Sequence, residues 1–85
     1  MISNKQNLIN KIKYRSLYRG TKEMDLFVNT FVDEIVKDLN FNELVELNRL
    51  INLNDEEIDK ISKGKSRPDI DNKICELLVN FKKKY

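Results

Sequence analysis

Arg15, Arg19, Gly20, Glu23 and Asp25 lie close together in this 85-residue chain and are the group best suited to chemistry. The chemistry they suggest is recognition rather than bond-making. Guanidinium forks pair with carboxylates, backbone carbonyls or phosphates in fixed geometry, which makes Arg19 the natural anchor of a contact. A glycine beside it permits positive φ and lets another backbone approach closely. The same residues also have a purely structural account. If a helix opens at Gly20, Glu23 stands at its third position and can reach back to the Gly20 amide, half of a capping box. Arg15 and Arg19, four apart, would then simply cover the end of the preceding helix. Residue types alone leave both accounts open. In either, Arg19 is expected at the surface, because a buried unpaired guanidinium costs too much in so small a core.

What is missing narrows the reading. The chain has no histidine, no tryptophan and one cysteine, Cys75. The commonest general base and metal ligand is therefore absent, and neither a zinc site nor a Cys/His or Ser/His nucleophile can be built in the usual ways. Gly20 and Gly64 stand too far apart for a phosphate-binding loop. No catalytic residues, metal ligands or cofactor-binding residues are assigned, and a non-enzyme is expected. With one cysteine no internal disulfide is possible, so a reducing compartment fits. No apolar run approaches the roughly 20 residues needed to span a bilayer. The first residues lack the apolar stretch of a secretory signal, and a cytoplasmic protein is expected.

The elements that must position the group are helical. Glycine and proline are scarce, strand-like alternation is absent, and apolar spacings of three and four recur. A first helix is read from about Asn4 to Leu17, with Leu8, Ile9 and Ile12 as its stripe. Gly20 is where the chain leaves it. Met24, Phe27, Val28, Phe31, Val32 and Ile35 define a second, from about Thr21 to Leu39. Asn42 is read as the cap of a third helix through Leu44, Leu47, Leu50 and Ile51. Asn54-Asp55 caps a short fourth that fades at Gly64. Pro68-Asp69 starts a fifth carrying Ile74, Leu78 and Phe81, with Lys82-Lys83-Lys84-Tyr85 fraying. The expected architecture is all-α, a compact bundle of about five short helices forming one domain over residues 1–85.

Tyr14 and Tyr18 are read as half-buried packing residues, with stacking against a planar ring as the alternative. Leu26 points away from the apolar stripe and either packs under the first helix or belongs to a partner surface. Cys75 reads as a reduced packing residue.

Charge is segregated. Residues 1–22 carry six bases and no acid, residues 23–59 carry eleven acids against Lys37 and Arg49, and residues 60–85 carry eight bases against three acids. Such blocks either steer a partner or lie beside one another in the fold.

The segment Tyr14-Arg15-Ser16-Leu17-Tyr18-Arg19-Gly20-Thr21-Lys22-Glu23-Met24-Asp25-Leu26 resembles the signature of the SdhE family, the FAD assembly factors of succinate dehydrogenase, whose hallmark is Arg-Gly-x-x-Glu. Arg19, Gly20 and Glu23 fill its three defining positions. Arg15-Ser16, Thr21 and Met24-Asp25-Leu26 look like bacterial members. Arg49 to Asp55 is similar to the family's Leu-rich segment ending in an acidic turn, and Pro68 matches a proline before the last helix. Two positions depart: Ile61 stands where a tryptophan is common, and Tyr18 where a basic or histidine residue is frequent. The resemblance spans roughly residues 8–81.

It implies a chaperone-like factor, a monomer when free, that binds the flavoprotein subunit of succinate dehydrogenase and promotes its covalent FAD attachment. Whether the fumarate reductase flavoprotein is also served is left open. Arg15, Arg19, Gly20, Glu23 and Asp25 would form the contact, FAD would sit on the partner, and this chain would bind no cofactor itself. The competing readings are a small helix-turn-helix regulator of nucleic acid and a generic helical interaction domain. The acidic block from Glu23 to Asp59 argues against the first, because it repels phosphates across the middle of the fold. No nucleic acid and no membrane insertion are expected.

Overall fold

The apolar stripe from Met24 to Ile35 becomes the inner face of helix α2, Lys22–Ile35, whose Phe27, Val28, Phe31, Val32 and Ile35 are buried. The computed structural model describes residues 3–17 and 20–85, and among these the ordered elements are helical throughout. Around α2 stand α1, Asn4–Leu17, α3, Phe41–Ile51, α4, Asp55–Ser62, and α5, Asn72–Lys84. One apolar cluster joins them, running from Ile12 through Phe31, Leu47 and Ile58 to Phe81. The expected all-α bundle of five helices is the observed one. Among the described residues, no helix is long and apolar enough to cross a membrane.

The helix ends show where local chemistry decides. Thr21 caps α2, its hydroxyl accepting from the Met24 amide at 3.2 Å. The helix does not continue to Leu39 as expected. It tightens into a 3-10 turn, Val36–Asp38, and Leu39 is extended yet buried. The reason lies one residue on: Asn40 caps α3 and must itself be extended, so the preceding helix has to stop short of it. Asn40 rather than Asn42 is that cap. Its Oδ1 accepts from the Glu43 amide at 2.8 Å, and its own amide donates to Glu43 Oε1 at 2.9 Å. A start at Asn40 puts a glutamate at the third helical position and satisfies two amides reciprocally. A cap at Asn42 would put Val45 there and satisfy one.

Asn54 caps α4 as expected, accepting from Glu57 at 2.8 Å. Gly64, at φ +98°, ends that helix. Its amide bonds Ile61 O at 2.9 Å, and Lys65 N bonds Lys60 O at 3.0 Å, the paired bonds of a Schellman motif.

The fifth helix begins at Asn72, not at Pro68-Asp69. Arg67 draws Asp69 back with a 2.7 Å bond while reaching Glu57 on α4, and the Ile70 amide bonds the Arg67 carbonyl in a turn that buries Ile70. The tail expected to fray is helical to Lys84. Lys84 pairs with Glu34 at 3.0 Å, Lys82 lies 5.1 Å over the Phe27 ring, and Tyr85 meets Phe27 edge-on.

The C-terminal bases thus find the acids of the middle: Lys73 with Glu43, Arg67 with Glu57, Lys84 with Glu34. For these blocks, segregated charge in sequence becomes adjacent charge in space.

Candidate partner-binding site

Helix α1 packs against α2 and α3, which fixes the junction where the motif lies. One buried polar group supports this packing. Ser16 is fully buried, with its hydroxyl 2.8 Å from the Lys13 carbonyl and 3.3 Å from Asn29 Oδ1 on α2. Arg19 and Tyr18 lie outside the described residues, so the expectations for them concern positions beyond this description.

Gly20 is exposed and takes φ +132°, a conformation that L side chains rarely adopt. An added Cβ would meet Asp55 Oδ2 at 3.7 Å, which is ordinary contact. The need for glycine is therefore conformational rather than spatial. It also places Gly20 beside Asp55, the first residue of α4.

Glu23 is exposed in the first turn of α2. With Thr21 as the cap, Glu23 is the second helical residue and Met24 the third, so the helix does not open at Gly20 and the half capping box conditional on that start gives way to the bond between Thr21 and Met24. The carboxylate is left to interact with the helix dipole and with whatever approaches the surface. Asp25, half-buried, shares that turn.

Arg15 is exposed at the end of α1, and its Nε donates to Asn52 Oδ1 on the α3 C-cap at 2.6 Å. The structure thus places Arg15 and Gly20 against two points of the same α3–α4 turn, Asn52 and Asp55. Asn52 went unnoticed in sequence, since it lies 37 residues from Arg15 and no local spacing connects them.

The structure corrects the reading of Tyr14 and decides between the two alternatives for Leu26. Tyr14 is 68% exposed rather than half-buried, and Leu26 is 61% exposed rather than packed under α1. Both sit on helix faces turned from the core, which the α1–α2 and α1–α3 contacts have already filled. Leu26 and Glu23 line a hollow of about 360 Å³ with Met24, Phe27, Lys82 and Tyr85.

A larger hollow, about 860 Å³, runs under the α4–α5 connection past Arg67 and Cys75. Burial pushes the Cys75 thiol up, with Asp71 and Asp69 adding to the shift, so at neutral pH it is a protonated packing group. Arg67 is held above its ordinary value chiefly by Asp69, and Asp69 below its own by Arg67. These are mutually satisfied structural charges. Among the described residues, no group of three or more Cys, Asp or Glu is arranged to hold a metal ion.

In this all-helical fold the Gly-x-x-Glu stretch is exposed where Gly20 leads into the first turn of α2. The family model Sdh5, described as the flavinator of succinate dehydrogenase, matches residues 10–82, and the chain belongs to that family. The match contains the whole motif from Arg15 to Asp25. Its family is one of succinate dehydrogenase assembly factors. A search among curated proteins gave no match, and a search among solved structures gave none.

Proposed function

We propose that this protein binds the flavoprotein subunit of succinate dehydrogenase and promotes covalent attachment of FAD to it, with Arg15, Arg19, Gly20, Glu23 and Asp25 at the contact. The observation that carries this reading is the family match across residues 10–82. The exposure of Arg15, Gly20 and Glu23 at one helix junction supports it, because a contact surface must be accessible before the partner arrives.

The role is that of a binder, not a catalyst. A chain without histidine cannot supply a flavin-attachment histidine, so the reacting groups belong to the partner and to FAD. Binding one conformation of the partner better than others raises its population, and the factor acts by favouring the arrangement in which the attachment residue meets the flavin. The factor itself holds neither flavin nor metal, is a monomer when free, and works in the bacterial cytoplasm.

The test is covalent FAD on the flavoprotein subunit, read as in-gel fluorescence in cells where a variant replaces the native protein. Arg19→Ala, Gly20→Ala and Glu23→Gln should each lower the signal. Normal flavinylation by all three, in folded protein, refutes the assignment of the motif.

A further inference from the structure

Arg15 and Arg67 are both tethered arginines, but they are tethered differently. Arg67 gives Nε to Asp69 and Nη1 to Glu57, at 2.7 and 2.5 Å, so its charge is neutralised within the fold. Arg15 gives Nε to Asn52 Oδ1, a neutral amide. That amide is itself oriented: Asn52 Nδ2 donates to the Asn48 carbonyl at 2.7 Å and lies 3.3 Å from Asn48 Oδ1. Turning it over would face its NH2 toward the guanidinium and its oxygen toward a carbonyl, two unfavourable pairings. The arrangement holds an exposed guanidinium in place without neutralising it. With Nε engaged, the remaining donors are those of the two Nη groups, whose end-on fork matches the two oxygens of a carboxylate.

We propose that Arg15, braced by Asn52, is the receptor for a carboxylate side chain on the flavoprotein subunit, and that Asn52 is the positioning residue for this contact. This rests on the function proposed above and adds the chemistry of one contact to it. The ligand is a protein carboxylate rather than the pyrophosphate of FAD. Asp55, Glu56 and Glu57 open α4 just beyond Asn52, and Lys60 and Arg67 there are already paired with Glu56 and Glu57, so among the described residues this side of the site offers no surplus cation for the second charge of a pyrophosphate. Bracing also removes part of the rotamer entropy that a free surface arginine loses when it binds.

The experiment measures the affinity of the full chain for the purified FAD-free flavoprotein subunit, with thermal melting of each variant alongside. Arg15→Ala and Arg15→Lys should both weaken binding about tenfold, since lysine keeps the charge but not the fork. Asn52→Ala should weaken it about threefold in the native background and add nothing in the Arg15→Ala background. An equal loss in both backgrounds makes Asn52 a merely structural cap and overturns the positioning role. Native affinity in Arg15→Lys overturns the fork, and native affinity in Arg15→Ala overturns the receptor. A loss for Arg15→Ala that appears only when FAD is added assigns the anion to the flavin and overturns the carboxylate. If the native chain does not bind the subunit at all, the proposed function falls and this contact with it. Binding by the native chain that is indifferent to Arg15 sinks only the present inference.

Discussion

Phe31 on α2 and Phe81 on α5 hold their ring centroids 5.4 Å apart at 54°, joining the helix that carries the motif to the last helix of the chain. Phe27 extends the stack, 5.5 Å from Phe81. Tilted aromatic pairs at this spacing add to the area they bury. Phe31 is 1% exposed, so Phe31→Ala should cost about 3–5 kcal/mol, a large part of the stability of a small domain. Chemical denaturation measures it, and a loss below about 1 kcal/mol would place the centre of the core elsewhere.

The two asparagines at the start of α3 can be separated. Asn40→Ala should destabilise by about 1 kcal/mol or more, because it releases the Glu43 amide. Asn42→Ala, inside the first turn, should be nearly neutral. Equal losses from the two, read by thermal melting, would contradict the capping box.

Gly20 and Gly64 make a matched pair. Both have φ in the left-handed half of the map, +132° and +98°, and a Cβ at either has room. Alanine should therefore strain each backbone by about 1 kcal/mol or more and lower the melting temperature. Only Gly20→Ala should also lower flavinylation, since Gly64 closes the far end of α4. Gly64→Ala is thus the control for stability loss alone, and a similar flavinylation defect in both would assign the Gly20 effect to folding.

Acid should weaken the fold through Glu43 and Asp69. A hydrogen bond from Lys73, aided by the Asn40 amide, holds the Glu43 carboxyl below its ordinary value, and Arg67 does the same for Asp69. A carboxyl depressed in the folded state binds protons more readily when unfolded. The stability it contributes is present above its unfolded value, about pH 4, and is lost as pH falls through the depressed folded value. Melting temperature should therefore drop below about pH 4, and Glu43→Gln should reduce the slope of that drop. An unchanged slope would remove Glu43 from the acid response.

Much of the fold was legible because its causes are local. The spacing from Met24 to Ile35 specifies one buried face whatever lies opposite, and Asn54 reads as a cap because its bond reaches only to Glu57. The motif letters were legible too, and they carried the family. The letters left the role of Glu23 open within the same short range: Gly20 and Thr21 both can open a helix, and the hydroxyl of Thr21 supplied the acceptor that fixed the start.

What tertiary structure alone decided lies farther apart in the chain. The start of α5 moved to Asn72 because Arg67 is shared between Asp69 and Glu57, a tie set by how α4 and α5 dock. Leu26 and Tyr14 stayed outside because α1, α2 and α3 had already closed on one another. The bond from Arg15 to Asn52 exists only once α1 lies across the end of α3. Periodicity and capping act within about four residues and can be read from the letters. Pairing across helices depends on docking geometry, to which every core side chain contributes.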